Sequence, residues 1–217
     1  MDLRACVPSP STSKLLAVTA LAFGLSSPVQ AAWKRATQTK DGIVVDVRAE
    51  KGSSIVTVRG TWTAAKQTPK RLWKAVNDLE RYTEFMPYLE VAKVLKREGR
   101  STWQYYCLDT PIISDRDYTL KLTTDANPGK DGRWRVSWVS ANAAGPKPKA
   151  GKVRVKVATG SWQFDSVQGG KATKITYTVR SDPGGSIPSW IANRANRQTV
   201  PDVMRALLKQ SKKSRYQ

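Results

Sequence analysis

Between residues 42 and 64 apolar and polar side chains alternate with a period of two, GIVVDVRAEKGSSIVTVRGTWTA, interrupted at Glu50-Lys51-Gly52-Ser53. β-Branched residues dominate both arms, so the stretch predicts two strands joined as a hairpin. The period then changes. Thr68 has the side chain of a helix cap and Pro69 stands at the first helical position, after which Leu72, Val76 and Leu79 form an apolar stripe with Trp73 beside it. A second short helix is predicted to carry Tyr82, Phe85 and Met86 before Pro87. From Tyr88 the period of two returns in six segments: LEVAKVLK, STWQYYCL, DYTLKL, RWRVSWVS, KVRVKVATGSWQF and TKITYTVR. They are separated at Glu98-Gly99, Pro111, Asn127-Pro128-Gly129, Gly145-Pro146 and Gly169-Gly170, and connections so short join antiparallel neighbours. From Ile187 to about Leu208, apolar or small residues recur at every fourth position (Ile187, Ile191, Ala195, Thr199, Val203, Leu207), which predicts one long helix that Pro201 should bend.

Two strands, two short helices, six strands and a long helix make an α+β order, with helices collected on one face of an antiparallel sheet. Neither an internal repeat nor a dividing linker interrupts it. Residues 1–31 stand apart. Arg4 and Lys14 stand in a polar leader, LLAVTALAFGL follows, and PVQA places small Val29 and Ala31 at cleavage-type positions, the make-up of a secretory signal peptide. Its apolar run is too short to span a bilayer. The expectation is an exported domain over 32–217, periplasmic in a Gram-negative cell and otherwise secreted. Cys107 is then the single cysteine, so the core must hold without an internal disulfide.

The formal net charge is +20, and little of it lies in the leader. Basic residues run through nearly every segment, which implies a folded body with a positive field rather than a polybasic tail. Nucleic acid is a poor match for an exported chain that lacks a recognition motif. Phospholipid headgroups and other anionic surfaces suit it better. The chain has no histidine, which removes Ser-His-Asp and Cys-His catalysis and His-containing zinc sites. No P-loop, dinucleotide fingerprint or EF-hand loop is present, and no cofactor or metal is expected.

Four segments, DRDYTLKL (115–122), GKVRVKVATGSW (151–162), TKITYTV (173–179) and DPGGSIPSWIANR (182–194), stand in the order and roughly the spacing of the START family. These are StAR-related lipid transfer domains of the helix-grip fold, and the chain resembles them over nearly all of residues 32–217. The resemblance implies a curved antiparallel sheet gripping the C-terminal helix around a tunnel for one lipid, sterol or similar hydrophobic molecule. It also implies that the helix hinges at Gly184-Gly185. Two glycines before a helix can offer N–H groups to a phosphate, but Pro188 removes a donor, and a sharp turn with Pro188 near the first helical position is the simpler reading.

Sequence points to a cavity in one further way: Ala192, Ala195 and Thr199 are small in mid-helix, while Trp190, Ile191, Val203, Met204, Leu207 and Leu208 are large at its ends. Candidate lining residues are Phe85 and Met86, Trp103 and Tyr105 (sharing a face with Cys107), Tyr118, Leu120 and Leu122, Trp134, Val136 and Trp138, and Tyr177, with Trp190, Ile191, Ala195 and Thr199 from the helix. Alternation does not say which face of each strand turns inward. Arg116-Asp117 reads either as a structural ion pair or as a place where Arg116 orients the polar end of a ligand. Lys121 and Leu122 fall on opposite faces, so a sterol preference does not carry over from the family. Cys107 reads as a small buried apolar residue. Arg194, Arg197, Arg205 and Lys209 are predicted to dock the helix end on anionic membrane, each contributing on the order of 1 kcal/mol at low screening. The expected function is a monomeric carrier. The alternative is a helix-grip enzyme, cyclase or hydrolase-like, using Arg116, Asp117, Tyr105 or Tyr106.

Overall fold

A computed structural model describes residues 31–109, 114–127 and 133–217. The segments read as an export leader and as turns at Pro111 and Asn127-Pro128-Gly129 fall outside them, Ala31 and Asn127 excepted. A short exposed strand, β1 (Lys34–Gln38), precedes the hairpin of β2 (Val44–Glu50) and β3 (Ser53–Ala65). Helix α1 (Pro69–Asn77) begins as predicted, with the Thr68 hydroxyl accepting from the Arg71 N–H. The second helix is a tight 3₁₀ segment, Leu79–Glu84, that carries Tyr82 and ends before Phe85 and Met86. Then follow β4 (Leu89–Glu98), β5 (Ser101–Leu108), β6 (Arg116–Asn127) and β7 (Arg133–Ser140). The segment read as one strand, KVRVKVATGSWQF, is two: β8 (Val153–Arg154) lies parallel against β6, and β9 (Val157–Val167) pairs with β7 and with β10 (Ala172–Asp182). Finally, α2 (Ser189–Ser211) runs past Pro201 to the C-terminal segment.

The strands form one sheet in the order β1-β2-β3-β10-β9-β7-β6-β5-β4, antiparallel apart from the β8 pairing. Its inner face carries α1 and α2. Phe164, Ile175, Met204, Leu207 and Val58 are fully buried between helices and strands, an apolar layer of the kind that drives collapse of such a fold. Gly60 of β3 sets how near α2 approaches: a Cβ there would fall 2.6 Å from Val200 Cγ1 and closer still to Met204 Sδ. The helix therefore rides in a groove that only glycine leaves open. Among the described residues, no helix is long and apolar enough to cross a membrane.

Candidate functional site

Strand alternation places the site. On β6, Arg116, Tyr118, Leu120 and Leu122 point toward α2, while Asp117, Thr119 and Lys121 point away. Cross-strand register carries that choice to β5, where Tyr106 pairs with Tyr118 and their rings lie 5.3 Å apart, and to β7, where Trp138 pairs with Leu122. Between these strands and α2 lies a cavity of about 300 Å³, lined by aromatic and aliphatic side chains with Ser181, Asn196 and Thr199 as small polar points and Arg116 as the charged one. That volume is at the lower end of small-molecule sites, about 300–1,000 Å³. Room arises from the small residues foreseen at Ala195 and Thr199 and from Gly160, where a Cβ would run into the Trp138 ring and the Thr178 carbonyl.

Of the predicted residues, the structure brings together Met86, Arg116, Tyr118, Leu120, Leu122, Val136, Trp138 and Tyr177 with Ala195 and Thr199 around this space. Six it does not bring there. Trp103 and Tyr105 are on the other face of β5, covered by lysines: the Trp103 ring sits beneath Lys96 and Lys121, and the Tyr105 ring beneath Lys149. Trp134 shares the inner face but meets the edge of Trp73 on α1, 5.2 Å between ring centroids. Phe85 packs edge-on against Tyr82. Trp190 and Ile191 open α2 and are 64% and 41% exposed. In their stead the cavity uses Tyr82, Tyr106, Leu108, Trp162, Val179 and Val200. Tyr106 and Leu108 were available to the same alternation that named Tyr105. Because the outer face of β5 is covered as well, both faces read as apolar and the pattern alone does not choose.

Burial raises the hydroxyl pKa values of Tyr82, Tyr106, Tyr118 and Tyr177 well above the ordinary tyrosine value. Two of these hydroxyls are already spent on the protein, Tyr82 donating to the Val76 carbonyl at 2.5 Å and Tyr106 to Gln104 Oε1 at 2.6 Å. Arg116 and Asp117 do not pair with each other, since adjacent strand residues face opposite ways. Arg154 takes Asp117 instead, Nε to Oδ1 at 2.7 Å and Nη2 to Oδ2 at 2.9 Å, and the Tyr105 hydroxyl donates to the same carboxylate at 3.0 Å. Burial alone would raise the Asp117 pKa, yet the Arg154 and Tyr105 hydrogen bonds hold it below the usual value. Burial and the bond to Asp117 push Tyr105 up to about 12. These outer-face contacts strap the segment before β9 across β5 and β6. Nearby, Cys107, Glu90 and Asp115 converge on the Lys152 ammonium, 2.7, 3.4 and 2.9 Å away, so a cation already sits among these three donors. Burial raises the Cys107 pKa, with Lys152 opposing it.

The turn ahead of α2 resolves its glycines. Gly184 and Gly185 adopt φ of 67° and 69°, the left-handed region where glycine is strongly preferred. The Gly184 N–H donates to Asp182 Oδ1 at 3.0 Å. That donor serves the chain's own carboxylate, and Pro188 caps the helix without reaching its first turn. Two asparagines then tie the start of α2 to the sheet: Asn193 accepts from the Val56 N–H and donates to the Ser54 carbonyl, and Asn196 donates to the Ser181 carbonyl. Of the predicted docking residues, Arg194 and Lys209 are exposed and Arg197 is half-buried. Arg205 differs. Its guanidinium grips both Asp41 oxygens at 2.8 Å and Asp202 at 3.0 Å, and these bonds hold the Asp41 carboxyl well below its ordinary range.

Comparison with known proteins agrees with this geometry. The family model described as polyketide cyclase / dehydrase and lipid transport matches residues 66–208. An uncharacterized protein of Pseudomonas aeruginosa is 29% identical over 182 residues, 83% of this chain and 87% of its own. The phosphatidylcholine transfer protein of Rattus norvegicus is 31% identical over 100 residues, but that match covers 45% of each protein. A fragment of the STAR-related lipid transfer protein of Xanthomonas axonopodis superposes with a TM-score of 0.73 at 27% identity, over 83% of this chain and 99% of the fragment. The curved sheet closed by a long C-terminal helix is thus the helix-grip arrangement of START domains.

Proposed function

Because the chain belongs to the polyketide cyclase / dehydrase and lipid transport family, we propose that it is an exported carrier that holds one lipid or sterol-like molecule beneath α2 and docks on anionic membranes. The observation that carries this reading is the cavity itself, about 300 Å³ with mostly apolar walls, closed by a helix whose first turns are joined to the sheet by two asparagines and a glycine turn. Apolar ligand surface leaving water there contributes about 25 cal/mol per Å². No bond need be made or broken, and the reading assigns no catalytic step: among the described residues, the titratable groups on the cavity wall are one arginine and tyrosines, of which Tyr82, Tyr106, Tyr118 and Tyr177 are kept protonated by burial. The names of the Xanthomonas and rat relatives support lipid as the ligand class. Export rests on the make-up of residues 1–31, and docking on the exposed Arg194 about one turn from the bare Trp190 and Ile191. Interfacial tryptophan beside basic side chains suits a headgroup layer.

The test is extraction of protein purified from its native host, followed by mass spectrometry. One intact hydrophobic molecule per chain is the expected result. In parallel, Thr199→Trp fills the cavity from α2 and should abolish ligand uptake while leaving the fold intact by circular dichroism. Unimpaired uptake by that variant would remove the cavity from the account.

A further inference from the structure

Arg116 is 4% exposed and forms part of the cavity wall. One of its donors serves the protein, Nη1 reaching the Ser114 carbonyl. Its Nε is buried with no hydrogen-bond partner. A guanidinium stays charged in a protein and carries five donors in a rigid fork. Burial lowers its pKa, and Asp115 is the acidic neighbour that offsets this, but Lys152 already holds the Asp115 carboxylate at 2.9 Å. Among the described residues the remaining polar wall is neutral, made of Ser181, Asn196, Thr199 and tyrosine hydroxyls. The cavity therefore presents a desolvated positive charge at one end of an oily space, an arrangement that is unfavourable until an anion answers it. That end is defined by register. Arg116 pairs with Leu108 and with Val153, and Val153 is the residue beneath Gly184 at the hinge turn.

Resting on the carrier reading, we propose that the ligand is an amphiphile with an anionic head, whose carboxylate or phosphate oxygen accepts a hydrogen bond from Arg116 while its apolar body lies along Tyr118, Leu120 and Leu122. Both heads offer the same oxygen acceptors to a guanidinium, and such charge-assisted bonds are roughly twice as strong as neutral ones. A neutral hydroxyl head of the same length can accept from the Arg116 Nε but leaves its charge unanswered.

The experiment is isothermal titration of delipidated full-chain protein with dodecanoate, dodecyl phosphate and dodecanol, chains short enough for this cavity and used below their micellar concentrations. At least one anion should bind tenfold or more tightly than dodecanol, about 1.4 kcal/mol, and whichever anion wins tells a fatty-acid head from a phosphate head. In Arg116→Gln that advantage should fall below threefold, the anion losing more affinity than dodecanol does, and Arg116→Lys should retain part of it. If Arg116→Gln does not fold, a salt series on the wild type decides: a preference that survives about 0.5 M salt belongs to a buried, weakly screened charge, whereas one that vanishes belongs to the basic surface and overturns the proposal. Dodecanol binding as tightly as both anions overturns it as well, but leaves the carrier reading standing. If none of the three binds and no lipid is recovered from the native host, both fall.

Discussion

Gly60→Ala tests whether α2 is seated by close approach. The added methyl would lie 2.6 Å from Val200 Cγ1 and nearer to Met204 Sδ. Val200 is β-branched within the helix and has little rotamer freedom, while Met204 is fully buried. Overpacking of this kind costs about 1–3 kcal/mol, and the alanine recovers about 0.5–1 kcal/mol that glycine forfeits inside a strand. The net loss is about 0–2.5 kcal/mol, a fall of up to several degrees in Tm for a domain of this size. Urea unfolding followed by tryptophan fluorescence measures it, with the m-value checked for constancy. The decisive comparison is a double-mutant cycle. Met204→Ala by itself costs about 2–5 kcal/mol, but in that background the Gly60 methyl has space, so Gly60→Ala should become neutral or stabilising. A coupling of about 1 kcal/mol or more is expected between the two sites. If Gly60→Ala has the same effect in both backgrounds, α2 is not seated on Gly60 and the account of the groove fails.

Asp117→Asn should destabilise by about 3 kcal/mol because it strands Arg154 against β6. The Asp117 pKa is depressed in the fold, so the carboxylate's contribution is fully present above about pH 4, its unfolded value, and is lost as pH falls through the lower folded one; the wild-type and mutant stabilities, measured across pH 2–7 by denaturant titration, should therefore converge only at the acid end. On the proposed docking face, Arg194→Gln with Arg197→Gln should weaken vesicle binding by roughly tenfold or more at low salt, at on the order of 1 kcal/mol per charge. Adding Arg205→Gln should change little, since Asp41 and Asp202 already hold that side chain; co-sedimentation with phosphatidylglycerol vesicles that shows an equal further drop would refute the distinction.

Much of this molecule is legible in its residue pattern. The hairpin of β2 and β3, the Thr68-Pro69 helix start, the central strands and α2 are local matters: a period of two or near four, a capping hydroxyl, a glycine turn. Each needs only neighbours in the chain to be recognised. Edge strand β1 escaped because all of its side chains are exposed, so no alternation marks it. The break between β8 and β9 escaped because the alternation runs through it unbroken. What separates them is pairing, β8 taking β6 and β9 taking β7, which joins segments far apart in sequence.

The cavity divides along the same line. Tyr118, Leu120 and Leu122 could be grouped from spacing alone because β6 has a plainly mixed outer face of Asp117, Thr119 and Lys121. On β5 the grouping was equally clear, yet the inward set proved to be Tyr106 and Leu108 rather than Trp103 and Tyr105. Lys96, Lys121 and Lys149 cover the outer aromatics there, and a strand covered on both sides loses the contrast that would orient it. Likewise, the charges of Asp117 and Arg205 were visible, but their partners Arg154 and Asp41 lie 37 and 164 positions away. Periodicity and capping are written in neighbouring residues and so belong to the chain as text. Which face turns inward, and which charge remains free, depend on contacts between distant segments that exist only once the sheet has closed around its helix.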